Sequence, residues 1–119
     1  MITFIKGRIR SLYYVLVGVW HLVCKEPPIL VHTSVTLFFF FLGFYFEISR
    51  TEWMIQVLAC GIVLTVESLN TAIEKICDFI HPDYHKKIGT IKDISAGAVG
   101  FAVGAATIAL AILYYPYFF

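Results

Sequence analysis

The chain has 119 residues, of which 60% are hydrophobic, 17% aromatic and only 14% charged. Its mean hydropathy is +0.83, whereas soluble domains hold ~45–50% apolar and ~25% charged residues, so an ordinary soluble domain is excluded and a bilayer is required. A formal net charge of +1 lacks the basic footprint of a polyanion binder, so no nucleic-acid partner is expected.

In chain order, residues 1 to about 24 carry Phe4, Ile5, Ile9, Leu12, Leu16, Trp20 and Val23 as a helical stripe opposite Lys6, Arg10 and His21. This pattern predicts an N-terminal amphipathic helix lying on the membrane surface. A further span is the competing reading, but it would break the charge asymmetry described below. Basic residues at the start without a small-x-small cleavage pattern argue against a cleaved signal peptide.

Ile29 to Phe46 (ILVHTSVTLFFFFLGFYF) is an apolar run of about 18 residues, ~27 Å of helix, and predicts the first span over about 29–46. Pro27-Pro28 favours a turn before it, which puts Glu26 at a bend. The second apolar run, Trp53 to Val66, is only about 14 residues, ~21 Å. Its helix is expected to continue to about residue 79, with Glu67 near the membrane boundary, until Pro82 ends it. His81 to Thr90 (HPDYHKKIGT) reads as a polar loop, and a third span is expected over about 92–115, ending in Tyr114, Tyr115 and Tyr117 as an interfacial belt. The fold class is all-α integral membrane: three transmembrane helices plus the surface helix, in one domain over 1–119.

Lys6, Arg8, Arg10 and Lys25 precede the first span, and Lys75, Lys86, Lys87 and Lys92 lie between the second and third, whereas the turn between the first two holds only Arg50. The positive-inside rule then gives a multi-pass protein of the cell (inner, cytoplasmic) membrane whose N-terminus and second loop face the cytoplasm.

The stretch VESLNTAIEKICD closes the second span. At ~100° per residue Glu67, Asn70, Glu74 and Asp78 fall within roughly 80° of one helical face. Glu26 and the pair Lys92-Asp93 are expected at the same membrane face. Carboxylates near hydrocarbon cost ~2.5–3.5 kcal/mol each at mid-bilayer, so a cluster of them marks a functional site. Hard oxygen ligands from two helices suit Mg²⁺ bridging nucleotide phosphates, a nearby lysine suits a phosphate, and an acid at headgroup level suits a base toward a lipid hydroxyl. Two other readings use the same residues: a proton or cation pathway, or a scaffold whose charges only anchor it at the interface.

The motif E-S-L-N-T-A-I-E-x-x-x-D at Glu67 to Asp78, followed by PDYH at Pro82 to His85 and K-D-x-x-A-G-A-V at Lys92 to Val99, resembles the prokaryotic diacylglycerol kinase family, which includes undecaprenol kinases. The resemblance implies a homotrimeric membrane kinase with active sites shared between protomers. Its phosphoryl donor is ATP with Mg²⁺, and its substrate a membrane lipid alcohol: diacylglycerol, giving phosphatidic acid, or undecaprenol, giving undecaprenyl phosphate. Carried over by position, Glu67 is the base and Asn70 its polar neighbour, and Glu26 and Glu74 are the Mg²⁺ ligands. Tyr14, Asp83, Tyr84 and His85 touch the nucleotide, and Lys92 and Asp93 the phosphates and their surroundings. KEPPILVH departs from the family pattern: Pro27, Pro28 and Leu30 replace polar positions, while Glu26 and His32 fit, with His32 leaning toward the polyprenol branch.

The remaining features read as packing. Cys24, Cys60 and Cys77 lack metal-ligand pairing and behave as small hydrophobes. The loop pair His81 and His85 with Asp83 lacks a second ligand pair for a transition metal. Gly97, Gly100 and Gly104 allow close helix approach and oligomers.

Overall fold

The computed structural model describes residues 1–119. Four helices account for nearly all of them: α1 (Ile2–Lys25), α2 (Pro27–Tyr45), α3 (Arg50–Ile80) and α4 (Lys86–Phe118). The last three are long and apolar enough to cross a membrane, so the all-helical architecture and the number of spans agree with the hydropathy pattern.

Each boundary has a local cause. Glu26 breaks α1 from α2 with an extended backbone, φ −106° and ψ 108°, because a residue before proline is pushed out of the helical region. Pro27 and Pro28 then occupy the first turn of α2, where a missing N–H costs nothing. At its other end α2 closes in a Schellman arrangement: Ile48 N–H donates to the Gly43 carbonyl at 3.1 Å and Glu47 N–H to that of Phe44 at 3.3 Å. Glu47 takes the left-handed conformation this needs, φ 51°. Ser49 and Glu52 form a reciprocal capping box that starts α3.

The third span differs from the expectation at its start. The loop is His81 to His85, not His81 to Thr90, and α4 already begins at Lys86. The His85 side chain accepts from Lys87 N–H at 3.1 Å and so caps the helix, a signal that hydropathy does not register because the first turn is polar. The second spanning helix, α3, likewise starts before the apolar run at Trp53, because the Ser49–Glu52 capping box sets its first residue at Arg50.

The core lies between α3 and α4 at the end far from the acidic stripe, with Ile48, Ala59, Ala106, Leu110, Leu113 and Tyr114 buried together. Gly43 lets α2 close on α3 there, since a Cβ at this position would meet the Trp53 ring at 2.7 Å. Gln56 is fully buried within the apolar run. Its amide donates to the Phe39 carbonyl at 2.9 Å, and the Tyr114 hydroxyl donates to its Oε1, so one polar clasp joins α2, α3 and α4. Tyr117 adds a bond to Glu52 at 2.9 Å. Tyr114→Phe leaves the Gln56 oxygen without its donor inside the bundle, and the unfolding free energy in detergent is expected to fall by about 1 kcal/mol. An unchanged denaturation midpoint would mean the clasp adds no stability.

No residue of α1 is buried. The molecule measures 50 × 49 × 22 Å, and α4 alone spans ~50 Å at 1.5 Å per residue.

Candidate active site

The site grows from the polar turns of α3 at the end opposite the core. Glu67, Asn70 and Thr71 are buried there, while Glu74 and Asp78, farther along the same helix, are exposed. Glu67 and Glu74 are two turns apart, ~10 Å along the axis, and Asn70 lies between them. The Asn70 amide donates to Glu74 Oε1 at 3.4 Å. That bond fixes which way the side chain faces and leaves Asn70 Oδ1 buried with no partner.

Because Glu26 sits at the α1–α2 break, its carboxylate reaches α3 instead of pointing along a helix face. Glu26 is buried, with Lys75 Nζ 3.1 Å from Oε1 and His21 Nε2 3.1 Å from the same oxygen. Lys75 first, and His21 after it, hold this carboxyl below the usual carboxylate range against the opposing effect of desolvation. A depressed native value means that the pairing stabilises the fold above the ordinary carboxylate pKa and is lost as pH falls through the lowered one. Lys75→Met is therefore expected to lower the unfolding midpoint at neutral pH, and the difference from wild type should disappear on acidification. A difference that persists unchanged in acid would contradict the pairing.

On α2, His32 Nε2 approaches Glu67 Oε2 at 3.5 Å. His32 also lines an apolar groove of about 490 Å³ between α2, α3 and α4, which continues past Val35, Phe39 and Leu110 to Phe118. At the start of α4, Lys92 Nζ donates to Asp78 Oδ1. Asp83, Tyr84, His85 and Lys92 line one small hollow of about 110 Å³, so the loop residues predicted to touch a nucleotide do share a surface. Tyr84 is 88% exposed there.

The structure thus brings Glu67, Asn70, Glu74 and Glu26 to one end of the bundle and sets the loop hollow beside them through the Lys92–Asp78 pair. Asp93 is exposed, with no side-chain bond assigned to it. Tyr14 stands on exposed α1, where Arg10 Nε donates to its hydroxyl at 3.3 Å, and nothing within the protomer joins it to the acidic residues. Sequence reasoning missed the partners of the acids: Lys75, His21 and His32. Lys75 falls ~100° beyond Glu74, off the acidic stripe, and only the bend at Glu26 carries a carboxylate to it.

No three acidic, histidine or cysteine side chains converge to hold a metal by themselves. Two carboxylates and the orphaned Asn70 amide oxygen are nevertheless hard donors of the kind Mg²⁺ takes together with phosphate oxygens.

Residues 13–114 match the family described as prokaryotic diacylglycerol kinase. The chain belongs to this family. It is 38% identical over 96 residues to the undecaprenol kinase of Bacillus subtilis (strain 168), covering 80% of this chain and 78% of that enzyme. It is 40% identical over 74 residues to the diacylglycerol kinase of Escherichia coli (strain K12), covering 62% of this chain and 61% of that enzyme. The diacylglycerol kinase of Helicobacter pylori (strain ATCC 700392 / 26695) is 27% identical over 93 residues, 78% of this chain and 73% of the relative. Membership of a lipid kinase family decides against the ion-pathway and scaffold readings of the chain.

Proposed function

We propose that the protein transfers the γ-phosphoryl group of ATP to the hydroxyl of a membrane lipid alcohol at the cytoplasmic face of the cell membrane. The observation that carries this reading is the buried Glu67 on the acidic turns of α3, beside the unpartnered Asn70 oxygen, in a member of a lipid kinase family. Glu67 takes the hydroxyl proton as the alcohol oxygen forms its bond to the γ-phosphorus and the bond to the β-phosphate oxygen breaks, leaving ADP. Asn70 Oδ1 accepts from whichever donor the bound reactants bring beside the base.

Glu26 and Glu74 are the residues that would hold Mg²⁺, whose chemistry is to neutralise charge on the transferring phosphoryl group. Both contacts to Glu26 fall on Oε1, which leaves Oε2 as the donor, and Lys75 supplies a cation to the phosphates. Asp83, Tyr84 and His85 form the nucleotide surface, and the α4 N-terminus with Lys92 favours an anion there. Tyr14, on a surface helix, contacts the nucleotide only in an assembly that brings α1 over a neighbouring site.

That assembly is a homotrimer with shared sites. A Cβ added at Gly97, Gly100 or Gly104 meets nothing within 4 Å, so the small-residue face of α4 is unused inside the protomer and free for a neighbouring helix. The uncovered apolar residues of α1, among them Phe4, Ile9 and Trp20, fit a helix lying in the interface plane.

Diacylglycerol is the first substrate reading. An undecaprenol-type alcohol is the second, favoured by the wider coverage of the Bacillus subtilis relative, 80% of this chain, and by His32 beside the base. The reading is tested by ATP consumption in lipid nanodiscs: turnover is expected only when a lipid with a free hydroxyl is supplied. Turnover indifferent to the lipid, or none with any alcohol, would contradict it.

A further inference from the structure

We propose that His32 is the positioning residue of the base, its imidazole holding Glu67 Oε2 so that Oε1 faces the reacting hydroxyl. The inference rests on the kinase reading above and adds a residue to that site. Its geometrical basis is the approach of His32 Nε2 to Glu67 Oε2 at 3.5 Å across the α2–α3 interface, with Glu67 only 7% exposed.

The neighbouring side-chain donors are engaged elsewhere, and the unpartnered Asn70 Oδ1 is an acceptor that cannot hold a carboxylate. The Asn70 amide donates to Glu74, Lys75 sits on Glu26, and the Thr71 hydroxyl donates to the backbone carbonyl of Glu67, not to its carboxylate. Lys92 is bound to Asp78. Only His32 faces the carboxylate. A terminal carboxylate torsion is broad and roughly two-fold, so without a partner on one oxygen the base samples orientations that do not meet the substrate.

Two features make His32 suited to this role. Its backbone is fixed, because α2 begins at the Pro27-Pro28 turn and the Gln56–Phe39 bond sets the α2–α3 register farther along. Its ring also forms part of the wall of the apolar groove, so the side chain that holds the base lies where a lipid chain and its hydroxyl converge. A distance of 3.5 Å is long for a hydrogen bond, and catalytic contacts of this kind tighten when the reactants are bound.

A positioning role and a merely structural α2–α3 contact differ in what they predict. His32→Leu keeps the bulk and removes the donor, whereas His32→Gln places an amide N–H near where Nε2 stands. In nanodiscs with a lipid alcohol and saturating Mg-ATP, His32→Leu is expected to lower kcat by about ten- to hundredfold, the loss that follows a small misplacement of a catalytic group. The KM for Mg-ATP should stay within about twofold of wild type, since the nucleotide surface is untouched. His32→Gln should recover most of the lost kcat.

The proposal is overturned if His32→Leu keeps its kcat within about twofold of wild type, or if His32→Gln is as impaired as His32→Leu. The pairing is also read without turnover, as a correlation between the His32 Nε2 nitrogen and the Glu67 Cδ carbon in solid-state NMR of the wild-type protein. That correlation is expected, and its absence overturns the pairing. Wild-type protein inactive toward every lipid alcohol yet showing the correlation would overturn the kinase reading, and with it the catalytic role of the pair.

Discussion

Glu67→Gln is expected to abolish lipid phosphorylation, with kcat down by about 10²–10⁴-fold, the usual contribution of a positioned general base. The substitution keeps the length and volume of the side chain and removes only its capacity to take a proton. Because Glu74 lies ~10 Å away along α3 and Glu26 sits on a different element at the α1–α2 break, Mg-ATP binding is expected to persist. The bundle should also stay intact, since the core and the Gln56–Tyr114 clasp lie at the other end of the helices. The check is a comparison of kcat with the Mg-ATP dissociation constant. Loss of both together, or of neither, would remove Glu67 from the role of base.

The second large effect is expected at Glu74. Glu74→Gln retains an oxygen but discards the charge that favours a divalent cation, and phosphotransfer should fall on the order of 10²-fold or more, reflecting several kcal/mol of charge stabilisation supplied by the ion. Raised Mg²⁺ should recover part of the loss in this variant and none of it in Glu67→Gln. Chelation of the metal should silence the wild-type enzyme, and re-addition should restore it. Wild-type turnover that survives chelation would refute metal ligation by Glu26 and Glu74.

Much of this architecture is legible because a bilayer imposes simple rules on sequence. An apolar run ended by a charged residue and a proline pair each mark a boundary, and Ile29 to Phe46 reads as a span on length alone. The stripe Glu67, Asn70, Glu74 and Asp78 follows from helical periodicity, and α3 runs unbroken through all four. Where a signal depends on the partner element, periodicity says nothing. Gln56 carries no signal of its own within the run Trp53 to Val66, yet it is the centre of the clasp with Phe39 and Tyr114. The start of α4 was hidden because Lys86 to Thr90 is polar, and only the side-chain cap from His85 shows it.

The ion pairs of the site were hidden for the same reason. Glu26 reaches Lys75 because the residue before Pro27 leaves the helical conformation and turns its side chain toward α3. His32 meets Glu67 because the packing of Gly43 against Trp53 and the Gln56 bond set how α2 lies on α3. Those contacts depend on register between helices, which a single amphipathic pattern does not encode. The glycines of α4 show the converse case: a packing signal plain in the sequence finds no partner within the chain.

The most direct test of the whole account follows the labelled γ-phosphate of ATP into lipid, using wild-type protein in nanodiscs with Mg²⁺ and three lipids: diacylglycerol, undecaprenol and a lipid without a free hydroxyl. Label is expected in one of the two alcohols, none in the third lipid, and none in any lipid with Glu67→Gln. Label in neither alcohol, from folded protein that binds Mg-ATP, or equal label with Glu67→Gln, would contradict it.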